Sequence, residues 1–147
     1  MSRSPRCAGA DDEHGNSDEV RSRILRTAST LFYQRSVRAV GVDLVVEETG
    51  VAKTSLYRHF GTKGDLIAAF IGREDTDFWG TRDRVAGRHG GDAAAELDAH
   101  LEWIGERVGR PNYRGCPQIN VAAEFPNIDH PARKIAAAHN RQMRQRL

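Results

Sequence analysis

Only two cysteines, Cys7 and Cys116, occur in the 147 residues. Two thiols cannot build a disulfide framework, so a reduced, cytoplasmic protein is expected. No apolar run approaches the ~18 residues of a membrane span. The N-terminus also lacks the apolar core of a secretory signal. His89, His100 and His139 are not spaced with acids or cysteines as metal ligands are, so neither a metal nor a cofactor is expected. Cys116, His130 and Glu124 carry no local signature of a nucleophile, base and orienting group, and an enzyme is not expected. No internal repeat is visible.

Acids are missing where cations gather. The stretch GVAKTSLYRHFGTKGDL, Gly50 to Leu66, carries Lys53, Arg58, His59 and Lys63 and no acid before Asp65. The whole chain is nearly balanced, with 22 basic and 20 acidic residues. Its charge is segregated, however. Val20 to Asp65 holds eight Lys/Arg and four Asp/Glu, a net of +4, and Pro131 to Leu147 holds five and none, a net of +5. Segregation of this kind produces local positive fields on a near-neutral protein.

The apolar pattern is helical throughout. Residues 1–16 are rich in Ser, Gly, Arg and Asp and read as a disordered tail. Asn16 and Glu19 resemble a capping box that starts a helix near Ser17. Ile24, Ala28, Leu31 and Phe32 then form one face, with Leu25 beside it, to about Arg35. After a short linker, SVRAVG, Val42 to Thr49 reads as a short helix stopped by Gly50. Lys53 to Phe60 follows, with Ala52, Leu56 and Phe60 on one face and Gly61 as its stop. Thr62 caps a longer fourth helix, with Asp65 as its partner, reaching about Gly87. Its apolar face holds Leu66, Ile67, Phe70, Ile71, Phe78 and Trp79. Asp92 caps a fifth, faced by Ala94, Leu97, Leu101, Ile104 and Val108. Cys116 to Phe125 is a sixth helix, and Pro131 opens a seventh. The expected fold is all-α: a three-helix head followed by a helical bundle.

Helix, glycine turn, helix is the helix-turn-helix plan, whose second helix enters a DNA major groove. Lys53, Thr54, Ser55, Tyr57 and Arg58 offer hydrogen-bond donors and an aromatic ring to bases and phosphates. Lys63 lies just after the cap of the next helix, where open backbone N–H groups attract phosphate. A surface that meets a polyanion gains affinity from cations through counterion release and loses it to acids.

The residues ILRTASTLFYQRSVRAVGVDLVVEETGVAKTSLYRHFGTKGDLI, Ile24 to Ile67, resemble the DNA-binding head of the TetR family of bacterial repressors. The most specific part is the pattern GV-x-x-x-x-L-Y-x-H-F-x-x-K-x-x-L from Gly50 to Leu66. Residues 114–147 resemble the sixth and seventh helices of one TetR subgroup. The resemblance implies that Lys53, Thr54 and Ser55 meet bases and nearby phosphates, and that Tyr57 and His59 touch the backbone or groove edge. Arg58 then sits at a variable, base-reaching position, and Lys63 at a phosphate-binding one. It further implies a division into a tail (1–16), a DNA-binding domain (17–66) and a partial ligand-binding and dimerisation domain (67–147). Trp103, Tyr113, Cys116, Asn120 and Glu124 are then candidates for a small-molecule effector site; Trp79 and Trp103 either line that site or fill the core.

Three positions depart from the family pattern: Val46 stands where Ala is preferred, Ala52 replaces a Ser cap, and Asp43 stands where some members place a DNA contact. Members usually continue with two more helices that pair across a two-fold axis, so the C-terminal domain is expected to be short. Two readings stay open. One is a ligand-responsive repressor binding a palindromic double-stranded operator as a homodimer. The other is a truncated, non-repressing helical module, acting as a dominant-negative partner of a full-length regulator.

Overall fold

The computed structural model describes residues 10–146. Seven helices run along the chain, α1 (Ala10–Arg35), α2 (Val42–Thr49), α3 (Lys53–His59), α4 (Lys63–Arg88), α5 (Ala93–Val108), α6 (Pro117–Glu124) and α7 (Pro131–Arg146). No strand occurs among the described residues. The all-α expectation holds.

Ile24, Ala28, Leu31 and Phe32 form the buried stripe of α1, as their spacing implies. They meet Val45 of α2, Leu56 of α3, and Leu66, Ile67, Phe70 and Ile71 of α4 in one cluster. The rings of Phe32 and Phe70 lie 5.8 Å apart, tilted by 51°. Val121 of α6 and Ala132 of α7 belong to the same cluster, so a single core runs from the first helix into the last two.

Local signals define most boundaries. Gly50 adopts φ 69°, ψ 14°, and its N–H donates to the Val46 carbonyl, closing α2 in the left-handed geometry that glycine allows most easily. The Thr62 hydroxyl accepts from the Asp65 N–H at 3.1 Å and donates to the Asp65 carboxylate at 2.8 Å, opening α4. Asp92 caps α5 by accepting from the Ala95 N–H at 3.0 Å.

Several expectations are corrected. The first helix begins at Ala10, not near Ser17, so Asn16 lies inside a helix and does not cap one. Propagation from a core-anchored helix costs only the propensity of each added residue. Gly15, at ~1 kcal/mol, does not stop it. Residues 1–9 of the expected tail lie outside the described residues. The linker after α1 is not a mere connection, because Val37 and Val40 are fully buried plugs in the core. Gly61 does not end α3; the chain already leaves the helix at Phe60, whose φ is −133°. Burial of the Phe60 ring draws the backbone out one residue early. Ala52 is exposed, not part of the α3 core face, since it precedes the first helical turn.

The expected fifth helix is present, with its apolar stripe left open: Leu97, Leu101, Ile104 and Val108 are 49–59% exposed, and α5 buries no residue. It leans on α4 through Phe78 and Trp103, whose rings lie 5.2 Å apart. Trp79, by contrast, is buried, and its Nε1 donates to Asp75 at 3.0 Å.

Gly50 has open space where a Cβ would sit, so only its left-handed backbone resists a side chain. Gly50→Ala is expected to lower stability by about 1–2 kcal/mol, with Gly50→Asn costing less. Urea midpoints of the two variants check this; equal loss in both would contradict it.

Candidate nucleic-acid interface

The seven residues of α3 are too few to be a stable helix alone. It is held because Leu56 and Phe60 are sealed in the core and Val51 is buried just before it. That anchoring sets which side faces out. Lys53, Thr54, Tyr57 and Arg58 are exposed, while Ser55 and His59 are half-buried. The Arg21 guanidinium lies 4.9 Å from the centre of the Phe60 ring, adding a cation of α1 beside the end of α3. Lys63 opens α4 one turn of chain later and is half-buried.

Two acids modulate this cationic face. Lys53 Nζ lies 2.7 Å from Asp43 of α2. That hydrogen bond and the Asp43 charge hold the Lys53 pKa above its usual value. Asp43 therefore bridges α2 to α3, beyond the repulsion of phosphate that its charge alone implies. Burial pulls the Lys63 pKa below the usual lysine value, and the negative charge of Glu124 works the other way. The side chain of Ala52 offers no cap, and its carbonyl instead takes the Ser55 and Leu56 N–H groups at 2.9 and 3.1 Å. Val46 fits at the edge of the core, half-buried.

Residues 24–70 match the profile of the bacterial regulatory proteins of the tetR family. The crystal structure of SCO4454, a TetR-family transcriptional regulator from Streptomyces coelicolor, superposes with a TM-score of 0.79 at 32% identity, covering 85% of this chain and 66% of that one. The chain belongs to the tetR family. Among curated relatives, the HTH-type transcriptional activator FasR of Mycolicibacterium smegmatis is 39% identical over 56 residues, 38% of this chain and 26% of its own. The HTH-type transcriptional repressor KstR2 of Rhodococcus jostii is 36% identical over 91 residues, 61% of this chain and 43% of its own. The chain thus spans about half the length, or less, of these curated relatives. In this TetR-family head, α2, Gly50 and α3 are the helix-turn-helix.

The residues expected at an effector site do not all line one groove. Tyr113 and Cys116 line a groove between α5, α6 and α7. Trp103 and Tyr113 line a second groove beside α1 and α4. Asn120 and Glu124 line neither. The Asn120 amide donates to the Arg114 carbonyl at 2.8 Å. Glu124 accepts from the Ser36 hydroxyl at 2.7 Å and from the Arg38 N–H at 3.1 Å. It thereby ties the end of α6 to the turn between α1 and α2, where Ser36 stands at φ 79°. At the other end of α6, the Tyr33 hydroxyl accepts from the Arg114 N–H at 2.8 Å and donates to the Gly115 carbonyl at 3.1 Å. No local pattern marked Ser36, Tyr33 or Glu124 for these contacts, because their partners lie more than 80 positions away.

Glu124→Ala removes the acceptor of the Ser36 hydroxyl and leaves the Arg38 N–H only its longer contact to the Ser36 oxygen at 3.3 Å, and is expected to cost about 1–3 kcal/mol. Ser36→Gly loses the hydroxyl's bond to Glu124 and its longer one from the Arg38 N–H, which keeps Glu124 as acceptor, but relieves a left-handed non-glycine backbone, so it should cost less than Glu124→Ala. Equilibrium unfolding of both variants checks the assignment; an unchanged Glu124→Ala midpoint would refute it.

Proposed function

We propose that the chain is a DNA-binding transcriptional regulator whose α3 enters the major groove. The observation that carries this reading is the division of α3. Leu56 and Phe60 are buried in the core, while Lys53, Thr54, Tyr57 and Arg58 face solvent on the positive side of the head. Lys53, Thr54, Ser55 and Arg58 read bases and nearby phosphates, Tyr57 and His59 touch the backbone or groove edge, and Lys63 holds a phosphate. Residues 17–66 serve as the DNA-binding unit and 67–147 as part of the ligand-binding and dimerisation unit. In a homodimer, two recognition helices ~34 Å apart would meet successive major grooves of a palindromic operator. Effector binding among α4–α7 reaches the head through α6, whose ends are hydrogen-bonded to the α1 side chain Tyr33 and to the α1–α2 turn. The effect is a population shift between two packings.

The exposed stripe on α5 favours a second reading. In it, the chain is a helical binding module that pairs with a longer relative and disarms it. Fluorescence anisotropy on the DNA upstream of its own gene and on a scrambled duplex, at low and moderate salt, separates the two. Preference for the native duplex that survives moderate salt supports the regulator. Equal, strongly salt-sensitive binding supports the module.

Tyr57→Ala and Lys63→Ala are expected to weaken binding to both duplexes, and Lys63→Ala to reduce the salt slope by about one. Asp43→Asn frees Lys53 and removes a negative charge, so it should tighten binding and steepen the slope by about one counterion. Titrations across a salt series check the signs; weaker binding by Asp43→Asn would show that Asp43 is needed to position Lys53.

A further inference from the structure

The groove between α5, α6 and α7 encloses about 770 Å³. Its walls are apolar, built from Phe78, Ile104, Val108, Ile119 and Met143. Three arginines, Arg107 of α5 and Arg141 and Arg144 of α7, also line it, and no aspartate or glutamate does. Arg141 and Arg144 are three positions apart on one helix and so present their guanidinium groups on the same side. Among the described residues, neither has a carboxylate partner. Arg107 interacts with the Glu74 charge of α4, whereas Arg141 and Arg144 are exposed with their donors open, so an anion laid against the groove can take charge-assisted hydrogen bonds from that pair.

Two polar side chains in the lining are more than nine-tenths buried. Gln118 is 2% exposed, and its Oε1 accepts from the Cys116 thiol at 3.1 Å, while its Nε2 has no partner. A buried amide donor left unpaired is costly, and an acceptor atom supplied from outside removes that cost. His139 is 4% exposed, with Nδ1 2.6 Å from Asp75. Asp75, which also accepts from Trp79, is the acid that faces this ring from α4. With Nδ1 so engaged, Nε2 is the ring nitrogen left for a ligand.

We propose that this groove binds a small amphiphile with one anionic head and an apolar body. The carboxylate or sulfonate head meets Arg141 and Arg144, a charge-assisted and often bidentate contact. The body lies along Phe78, Ile104, Val108 and Met143, and an acceptor atom takes the Gln118 amide. A protein helix laid on α5 is the competing occupant. It would cover Leu97 and Leu101, which belong to the exposed stripe but do not line the groove. The charge around the groove selects the small anion. This deepens the ligand-responsive part of the proposed function and rests on it only for the consequence at DNA.

The test uses two dyes with the same aromatic body, anilinonaphthalenesulfonate and its sulfonate-free analogue phenylnaphthylamine, titrated by fluorescence into the full chain. The sulfonate is expected to bind at one site about tenfold or more tighter than the analogue, equivalent to about 1.4 kcal/mol. The double variant Arg141→Gln/Arg144→Gln, at exposed positions, should erase the preference. Leu97→Glu, on the stripe outside the groove, should leave it intact. Equal affinity for the two dyes, a preference that survives the double variant, or a preference lost in Leu97→Glu would overturn the proposal. DNA anisotropy on the same samples separates the two levels. Specific DNA binding without a dye preference overturns the groove assignment alone, and a dye preference without DNA binding overturns the regulator reading alone.

Discussion

Phe32 and Phe70 meet at 5.8 Å in the one core cluster that α1, α2, α3, α4, α6 and α7 share. The contact joins the last turns of α1 to the first third of α4, and the buried residues of α2, α3, α6 and α7 belong to the same cluster. The head is thereby continuous with the helices that follow it. A seven-residue helix such as α3 keeps its shape only because Leu56 and Phe60 are sealed against this core. Its outward side chains inherit a set direction, which recognition of a rigid duplex demands.

Polar contacts refine what the core establishes. Tyr33 and Glu124 hold the two ends of α6 against α1 and the α1–α2 turn, and Ser36 adopts a left-handed backbone where Glu124 grips it. Non-glycine residues in that region persist where their surroundings over-determine them. The same carboxylate influences Lys63, while Asp43 engages Lys53. The positive face is therefore less strongly charged than a count of its lysines and arginines implies. Acids placed beside exposed cations moderate non-specific attraction to any polyanion while leaving the donors in position.

What was legible in the amino-acid order was whatever has a local cause. Gly50 stopping α2, Thr62 with Asp65 opening α4 and Asp92 opening α5 all act within four residues, and each is where its chemistry implies. The apolar faces of α1 and α4 were legible for the same reason, since helical spacing alone reveals them. Expectation and structure differ where helix propagation or distant packing overrides a local signal. Asn16 has the chemistry of a cap, yet the helix runs past it. Gly61 has the chemistry of a stop, yet burial of Phe60 ends α3 first. Val37 and Val40, too close together to show a period, are core residues.

By itself the sequence determined the helical class, the order of the seven helices, the helix-turn-helix and the cations of α3, because capping groups, glycine and residue spacing act over a few positions. Tertiary structure alone decided which apolar faces are covered and which polar groups meet. The stripes of α1 and α5 look alike on paper, and only the first is buried. Glu124 bonds to a turn 86 and 88 positions earlier, a pairing that no local pattern announces. Gln118 and His139 carried no signal until α6 and α7 brought them to one groove. Burial and long-range hydrogen bonding are properties of the assembled chain, and no short window of residues contains both partners.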